Sequence, residues 1–203
     1  MAFAIETENL TKKFNSLIAV NKLNLRVEEG VIFGFLGPNG AGKTTTIRMI
    51  MGLIKPTEGN VKIFGEPLGN GKEARMKIGF LPEQYKLYEA LTAYENLDFF
   101  ARLYGIRDRD EKVRESFSLV GLEGEETKRL RNYSHGMKQR LGIAQAYIND
   151  PNLIILDEPT MGLDPKGSRD IRELLKSLRQ RKVTIFLSSH LLYEVQDICN
   201  KVG

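Results

Sequence analysis

The chain has 203 residues, 41% of them hydrophobic and 28% charged, with 30 basic and 26 acidic side chains giving a net charge of +4. This is the composition of a folded globular domain, and apolar runs no longer than residues 31–36 or 153–156 exclude a membrane-spanning chain. The single cysteine, Cys199, excludes an intrachain disulfide framework and a cysteine-rich zinc site, fits a reducing cytosol, and reads as a small apolar group on a helix face.

The N-terminus, Met-Ala-Phe-Ala-Ile-Glu-Thr-Glu, has neither a basic region nor an apolar core, so no secretory signal is expected. Alternation predicts strands at residues 4–7, 18–20 and 23–27, arranged as strand–turn–strand. Gly30 punctuates before a buried strand at 31–36, followed by a glycine-rich loop and a short helix over 46–51 with Gly52 beyond its end. A turn at 55–60 leads into a strand at 61–64, and another strand at 78–81 ends at Pro82. Thr92-Ala93-Tyr94-Glu95 is a capping-box pattern opening a helix to about Tyr104, stopped by Gly105. Further helices are predicted over 112–120 and from Ser134 to about Ile148. A buried strand at 153–157, a helix from Pro165 capped by Asp164, a strand at 184–187 and a terminal helix from Ser189 complete the chain. Strands alternating with helices imply an α/β fold with a mainly parallel sheet, and residues 86–150 read as an inserted α-helical subdomain. The basic residues are scattered, which favours a solvated surface over a nucleic-acid patch.

Three segments carry chemistry. Gly37-Pro38-Asn39-Gly40-Ala41-Gly42-Lys43-Thr44-Thr45 lies between a strand and a helix, the arrangement of a phosphate cradle. Its glycines let backbone N–H groups turn inward, the helix start adds partial positive charge, Lys43 reaches the β- and γ-phosphates and the Thr44 hydroxyl holds Mg²⁺. Residues 153–157 end in Asp157 and Glu158, where a parallel strand delivers side chains to a ligand at its carboxyl end. Asp157 would support Mg²⁺ and Glu158 would point at an attacking water. Ser134 can cap the helix after it and Gly136 permits close approach, a second anion site at a helix start.

Together and in this order, residues 37–45, 133–140, 153–159, Gly162-Leu163-Asp164 and Ser188-Ser189-His190 resemble the ATP-binding-cassette ATPases from about Phe3 to the last residue. The resemblance implies a P-loop NTPase core with an N-terminal antiparallel β subdomain, in one domain over 1–203. Within it, 1–85 forms the β subdomain and cradle core, 86–150 the helical subdomain and 151–203 the remaining core. It also implies that Gly203 ends a trimmed chain. By the same resemblance, residues 37–45 are the Walker A loop, Asp157 the Walker B aspartate and Glu158 the glutamate that polarises water. His190 is the switch histidine facing the γ-phosphate, Asp164 the D-loop aspartate, and Phe14 the ring that stacks on adenine. Ser134 and Gly136 belong to the signature segment, which contacts ATP held by another subunit. Two departures stand out. His135 and Met137 replace the usual glycine and glutamine of that signature. In the loop after Phe80 the family's Mg²⁺-contacting glutamine falls on Glu83 or Gln84, and the offset from the preceding strand favours Glu83.

The activity implied is hydrolysis of ATP with Mg²⁺ in a head-to-tail homodimer or cassette heterodimer. The chain would power transport through a separate membrane permease subunit, of the export type, and sit peripherally on the cytoplasmic face of the cell membrane. Helix residues 96–104 supply both core rings and a docking face for that permease. No direct nucleic-acid partner is expected. A soluble cassette ATPase acting on ribosomes or nucleic acid is the alternative, although the chain has one cassette and no coiled-coil or zinc addition; a P-loop kinase leaves residues 134–140 unexplained.

Overall fold

The computed structural model describes residues 2–68 and 76–203. Strands β1 (Phe3–Phe14) and β2 (Leu17–Glu28) form one long antiparallel hairpin, closed by Asn15-Ser16 with Asn15 at φ 51°. The sequence reads as three shorter strands because its alternation breaks near Asn9 and Lys22. The structure carries the ladder through these points as irregularities, with both residues at positive φ (48° and 47°). Buried threonines supply the displaced ladder bonds. Thr7 Oγ1 donates to the Leu23 carbonyl and accepts from Leu25 N, each at 2.9 Å, and Thr11 Oγ1 accepts from Lys22 N at 3.0 Å. Strands β4 (Glu58–Ile63) and β5 (Glu66–Pro67) complete this sheet in the order β2-β1-β4-β5. Strand β4 starts inside the expected turn, because Gly59 crosses β1 so closely that a Cβ would lie 2.4 Å from the Glu8 and Asn9 carbonyls. It ends before Phe64, which turns at φ 50°.

The second sheet is parallel throughout. It orders β6 (Ile78–Leu81), β7 (Leu153–Asp157), β8 (Thr184–Ser189), β3 (Ile32–Leu36) and β9 (Lys201–Val202) side by side. Period-two alternation divides its side chains between two cores. Ile154, Leu156, Ile185 and Leu187 enter one, while Leu153, Ile155, Phe186 and Phe33 enter the other. The second core is closed by helix α1 (Lys43–Ile50) through Ile47 and Ile50 and by the antiparallel sheet through Ile5, Leu10 and Val27. Burial on both faces explains why β7 is apolar up to its last residue.

The first core is shared with the inserted helices α2 (Ala93–Leu103), α3 (Arg109–Leu119) and α4 (His135–Tyr147), through residues such as Leu97, Phe117 and Leu141. Thr92 and Glu95 form the capping box read from the sequence, their side chains serving each other's backbone N–H. Helix α3 begins three residues earlier than expected, with acidic Asp110 and Glu111 in its first turn. Helix α5 (Pro165–Gln180) is capped by Asp164, which accepts from Gly167 N at 2.8 Å. The last helix, α6 (Leu192–Ile198), starts later than Ser189, because Ser189 stays in β8 and its hydroxyl accepts from Leu191 N. Cys199 closes α6 against Gly34, and burial pushes its thiol up to about 12.

Two outcomes follow from this packing. At Gly79 a Cβ would lie 1.9 Å from the Ala146 carbonyl, backbone against backbone, where α4 crosses β6. Gly79→Ala should lower unfolding free energy by about 1–3 kcal/mol in urea titrations, through overpacking. Iodoacetamide at pH 8 should alkylate Cys199 in the native chain at least about 10-fold more slowly than in urea-unfolded chain, since little thiolate forms.

Candidate functional site

The carboxyl ends of β3, β7 and β8 converge on one place, and the sequence between β3 and α1 wraps over it. Helix α1 starts at Lys43, three residues before the expected start. Gly42 at φ 91° caps it in the left-handed region, and a Cβ there would lie 2.3 Å from the Ala19 carbonyl. Lys43 and Thr44 are therefore the first helical residues and point back across the loop. Ala41 N donates to the Pro38 carbonyl at 3.1 Å, and Gly37 N donates to Ser189 O at 3.2 Å, tying the loop to β8.

The Lys43 ammonium is buried. It donates to the Gly37 carbonyl at 2.7 Å and the Pro38 carbonyl at 3.3 Å, and lies 3.2 Å from Glu158 Oε1. Glu158 Oε1 accepts no aligned hydrogen bond, so its contact with Lys43 is an ion pair alone. The other oxygen, Oε2, is 2.9 Å from His190 Nδ1, whose side chain is 31% exposed. Glu158 thus holds a buried carboxylate between a lysine and a histidine, on backbone at φ 53°. A non-glycine residue in that region costs roughly 1–3 kcal/mol and persists only where its surroundings hold it.

Asp157, at the end of β7, accepts from Thr44 Oγ1 at 2.9 Å on one oxygen and from Ser188 Oγ at 2.6 Å on the other. Ser188 in turn accepts from Glu158 N at 2.9 Å. Ser188 is the residue that sequence reading left without a role. The signal for it was a hydroxyl at the apolar strand's end, directly across the register from Asp157.

A cavity of about 490 Å³ opens over these groups. Asn39, Gly40, Gly42, Lys43, Thr44, Thr45 and Glu158 form its floor, and Phe14, Leu17 and Ile18 from the β1–β2 hairpin form one wall. Phe14 is 47% exposed, with Lys12 Nζ 5.1 Å from its ring centroid. Glu83 lines the same cavity, whereas Gln84 is exposed and outside this lining. Among the described residues no cluster of three or more His, Cys, Asp or Glu side chains could hold a metal unaided. Thr44, Asp157 and Glu83 nevertheless supply the hard oxygen donors that suit Mg²⁺ shared with phosphates.

Ser134 and Gly136 stand elsewhere. They line a separate cavity of about 390 Å³ with Arg140, Gly162, Leu163 and Asp164. Ser134 caps α4, accepting from Met137 N at 3.2 Å, and Met137 packs against the first core. Within one copy the structure does not bring Ser134 or Gly136 to the Lys43 cradle. His135 Nε2 meets the Met161 carbonyl at 3.2 Å, linking α4 to the loop between the two cavities.

A family model described as ABC transporter matches residues 20–161. The bacitracin transport ATP-binding protein BcrA of Bacillus licheniformis is 49% identical over 205 residues, covering 100% of this chain and 67% of that protein. The protein of the same name from Enterococcus faecalis is 46% identical over 208 residues, covering 100% of this chain and 66% of its own length. The chain spans about two thirds of the length of these relatives. Among solved structures, cbiO1 from Clostridium perfringens, part of the ABC transporter complex cbiONQ, superposes with a TM-score of 0.90 at 26% identity. That superposition covers 100% of this chain and 84% of cbiO1.

Ser188→Ala tests the hub directly. It leaves Asp157 Oδ1 and Glu158 N without their shared buried partner, and should cost about 1–3 kcal/mol of stability in chemical denaturation. Unchanged stability would mean the hydroxyl is dispensable to this arrangement.

Proposed function

The chain belongs to the ABC transporter ATP-binding family, and on that footing we propose that the cavity over Lys43 binds and hydrolyses Mg-ATP to power transport through a separate permease. The observation that carries this reading is that Lys43, Thr44 and Glu158 line a single 490 Å³ cavity, with His190 bonded to Glu158 and Asp157 to Thr44 directly behind them.

Each group has a role set by its chemistry. The loop from Gly37 through Thr45 offers backbone N–H groups and the start of α1 to the phosphates. Lys43 exchanges its Gly37 and Pro38 carbonyl partners for phosphate oxygens, a trade of neutral acceptors for charged ones. Thr44 and Asp157 would hold Mg²⁺, with Glu83 on the cavity wall, and the ion would supply neutralisation of phosphate charge. Glu158 accepts a hydrogen bond from the attacking water and aligns it. The water oxygen bonds to the γ-phosphorus as the bond to the bridging oxygen breaks, ADP leaves, and the proton passes to phosphate. His190 donates to the γ-phosphate once its ring N–H leaves Glu158 Oε2. Phe14 stacks on the adenine, with Leu17 and Ile18 beside it.

Ser134 and Gly136 line a cavity other than the one over Lys43, and in this reading they meet the phosphates held by a second copy. Two chains, head to tail, then enclose two ATP molecules. Among the described residues no helix is long and apolar enough to cross a membrane, and in this reading a separate membrane subunit supplies the translocation path. That subunit docks on the helical subdomain, where Tyr88, Phe99 and Leu103 are exposed while Phe100 and Tyr104 pack inward. The chain then works peripherally, at the cytoplasmic face of the membrane. Relatives named for bacitracin transport favour this reading over work on ribosomes or nucleic acid.

Glu158→Gln keeps the side chain's shape and removes its charge. It should cut steady-state ATP turnover by about 100-fold or more while raising the dimer population with Mg-ATP, read by light scattering. A monomer at saturating Mg-ATP contradicts the shared-site reading.

A further inference from the structure

Helix α4 makes two contacts that the reaction above leaves unused. His135 and Gln139 lie four residues apart and share one face of the helix. Both reach main-chain carbonyls of the loop that leaves β7. Gln139 Nε2 donates to the Pro159 carbonyl at 2.7 Å, fully inside the protein, and His135 Nε2 lies 3.2 Å from the Met161 carbonyl. Pro159 follows Glu158 directly, and Met161 N donates back to the Glu158 carbonyl at 3.2 Å. The residue with the left-handed backbone is therefore gripped on its C-terminal side by α4 and on its N–H side by Ser188.

Gln139 is itself oriented. Tyr85 O–H donates to Gln139 Oε1 at 3.1 Å. The Pro159 carbonyl can only accept, so the amide nitrogen must face it and the amide oxygen must face Tyr85. The Tyr85 ring lies against Gly142, where an added Cβ would come 3.0 Å from the ring. Burial raises the phenol above its ordinary value, which keeps it a donor. Tyr85 also lines a groove of about 370 Å³, together with Glu83, Leu87, Leu130 and His135.

We propose that Gln139, oriented by Tyr85 and seconded by His135, is a positioning residue for hydrolysis: it holds the Pro159 carbonyl and so keeps Glu158 aimed at the water. The proposal rests on the ATPase reading. It gives α4 a second task, since the helix that starts at Ser134, beside the other copy's nucleotide, also sets the local Glu158. Loss of the clamp acts on the chemical step and leaves nucleotide binding alone.

The test is steady-state turnover of the full chain with Mg-ATP, alongside binding of a fluorescent ATP analogue. Gln139→Ala and Gln139→Glu should each lower kcat about 10-fold, with KM and analogue affinity within about twofold of the parent. Tyr85→Phe removes only the hydroxyl and should lower kcat about 3-fold. Combined with Gln139→Ala it should add nothing, because both act through one hydrogen bond. His135→Gln, which keeps an N–H within reach, should retain the turnover that His135→Ala loses. Parental kcat in both Gln139 variants, a loss confined to KM, or additive losses in the double variant would overturn the proposal. If Gln139→Ala does not fold, Tyr85→Phe decides by the same kcat-against-KM criterion. A parent chain with neither binding nor turnover sinks the ATPase reading itself. Parental turnover with unaltered variants sinks only the clamp.

Discussion

Glu158 is a buried carboxylate placed one residue beyond a strand that is apolar up to Asp157, and most of the surrounding structure follows from keeping it there. Desolvating a carboxylate costs several kcal/mol unless charge and hydrogen bonds compensate. Lys43 provides the charge at 3.2 Å and His190 a ring nitrogen at 2.9 Å. Ser188 holds the Glu158 N–H and Gln139 the next carbonyl, so the left-handed backbone is fixed from both sides. The partners come from α1, α4, β8 and the bend just after β8, and the fold has to bring all of them to one point.

The parallel sheet does this by alternation. In β7, β8 and β3 successive residues go to opposite cores, which pins register because a slip of one residue would exchange the two sets. With register fixed, Asp157 stands opposite Ser188, and the cradle follows β3 at the adjacent strand end. The two cores also divide the work. The one closed by α1 and the antiparallel sheet supports the cradle and the Phe14 wall, while the one shared with α2, α3 and α4 carries the Ser134 helix. Gly79 lets α4 cross β6 at close backbone range, and α4 bridges back to the Glu158 loop through His135 and Gln139.

The elements that sequence made legible are those whose signal is local. The cradle's glycines, the apolar run ending in Asp157-Glu158, the Thr92 capping box and the Asp164 cap all stand where composition and spacing put them. Boundaries slipped where a backbone irregularity intervened. Asn9 and Lys22 hid a continuous hairpin by interrupting alternation, and Gly42 moved the start of α1 back to Lys43. Ser188, Gln139 and Tyr85 were not legible because their meaning is tertiary. Each is an ordinary polar residue until strands or helices far apart in the chain meet. Ser134 lines a cavity other than the cradle's, and the proposed reaction therefore draws on a second copy, as the resemblance implies.

In the proposed reaction the Lys43 cradle and the Ser134 helix of two different copies enclose one triphosphate. A structure of the Glu158→Gln chain with Mg-ATP tests it most directly. Two chains are expected head to tail, with each terminal phosphate touching Lys43 of one and Ser134 of the other, and Lys43 released from the Gly37 carbonyl. A nucleotide bound elsewhere, or a cradle filled in a lone chain with Ser134 facing solvent, would contradict it.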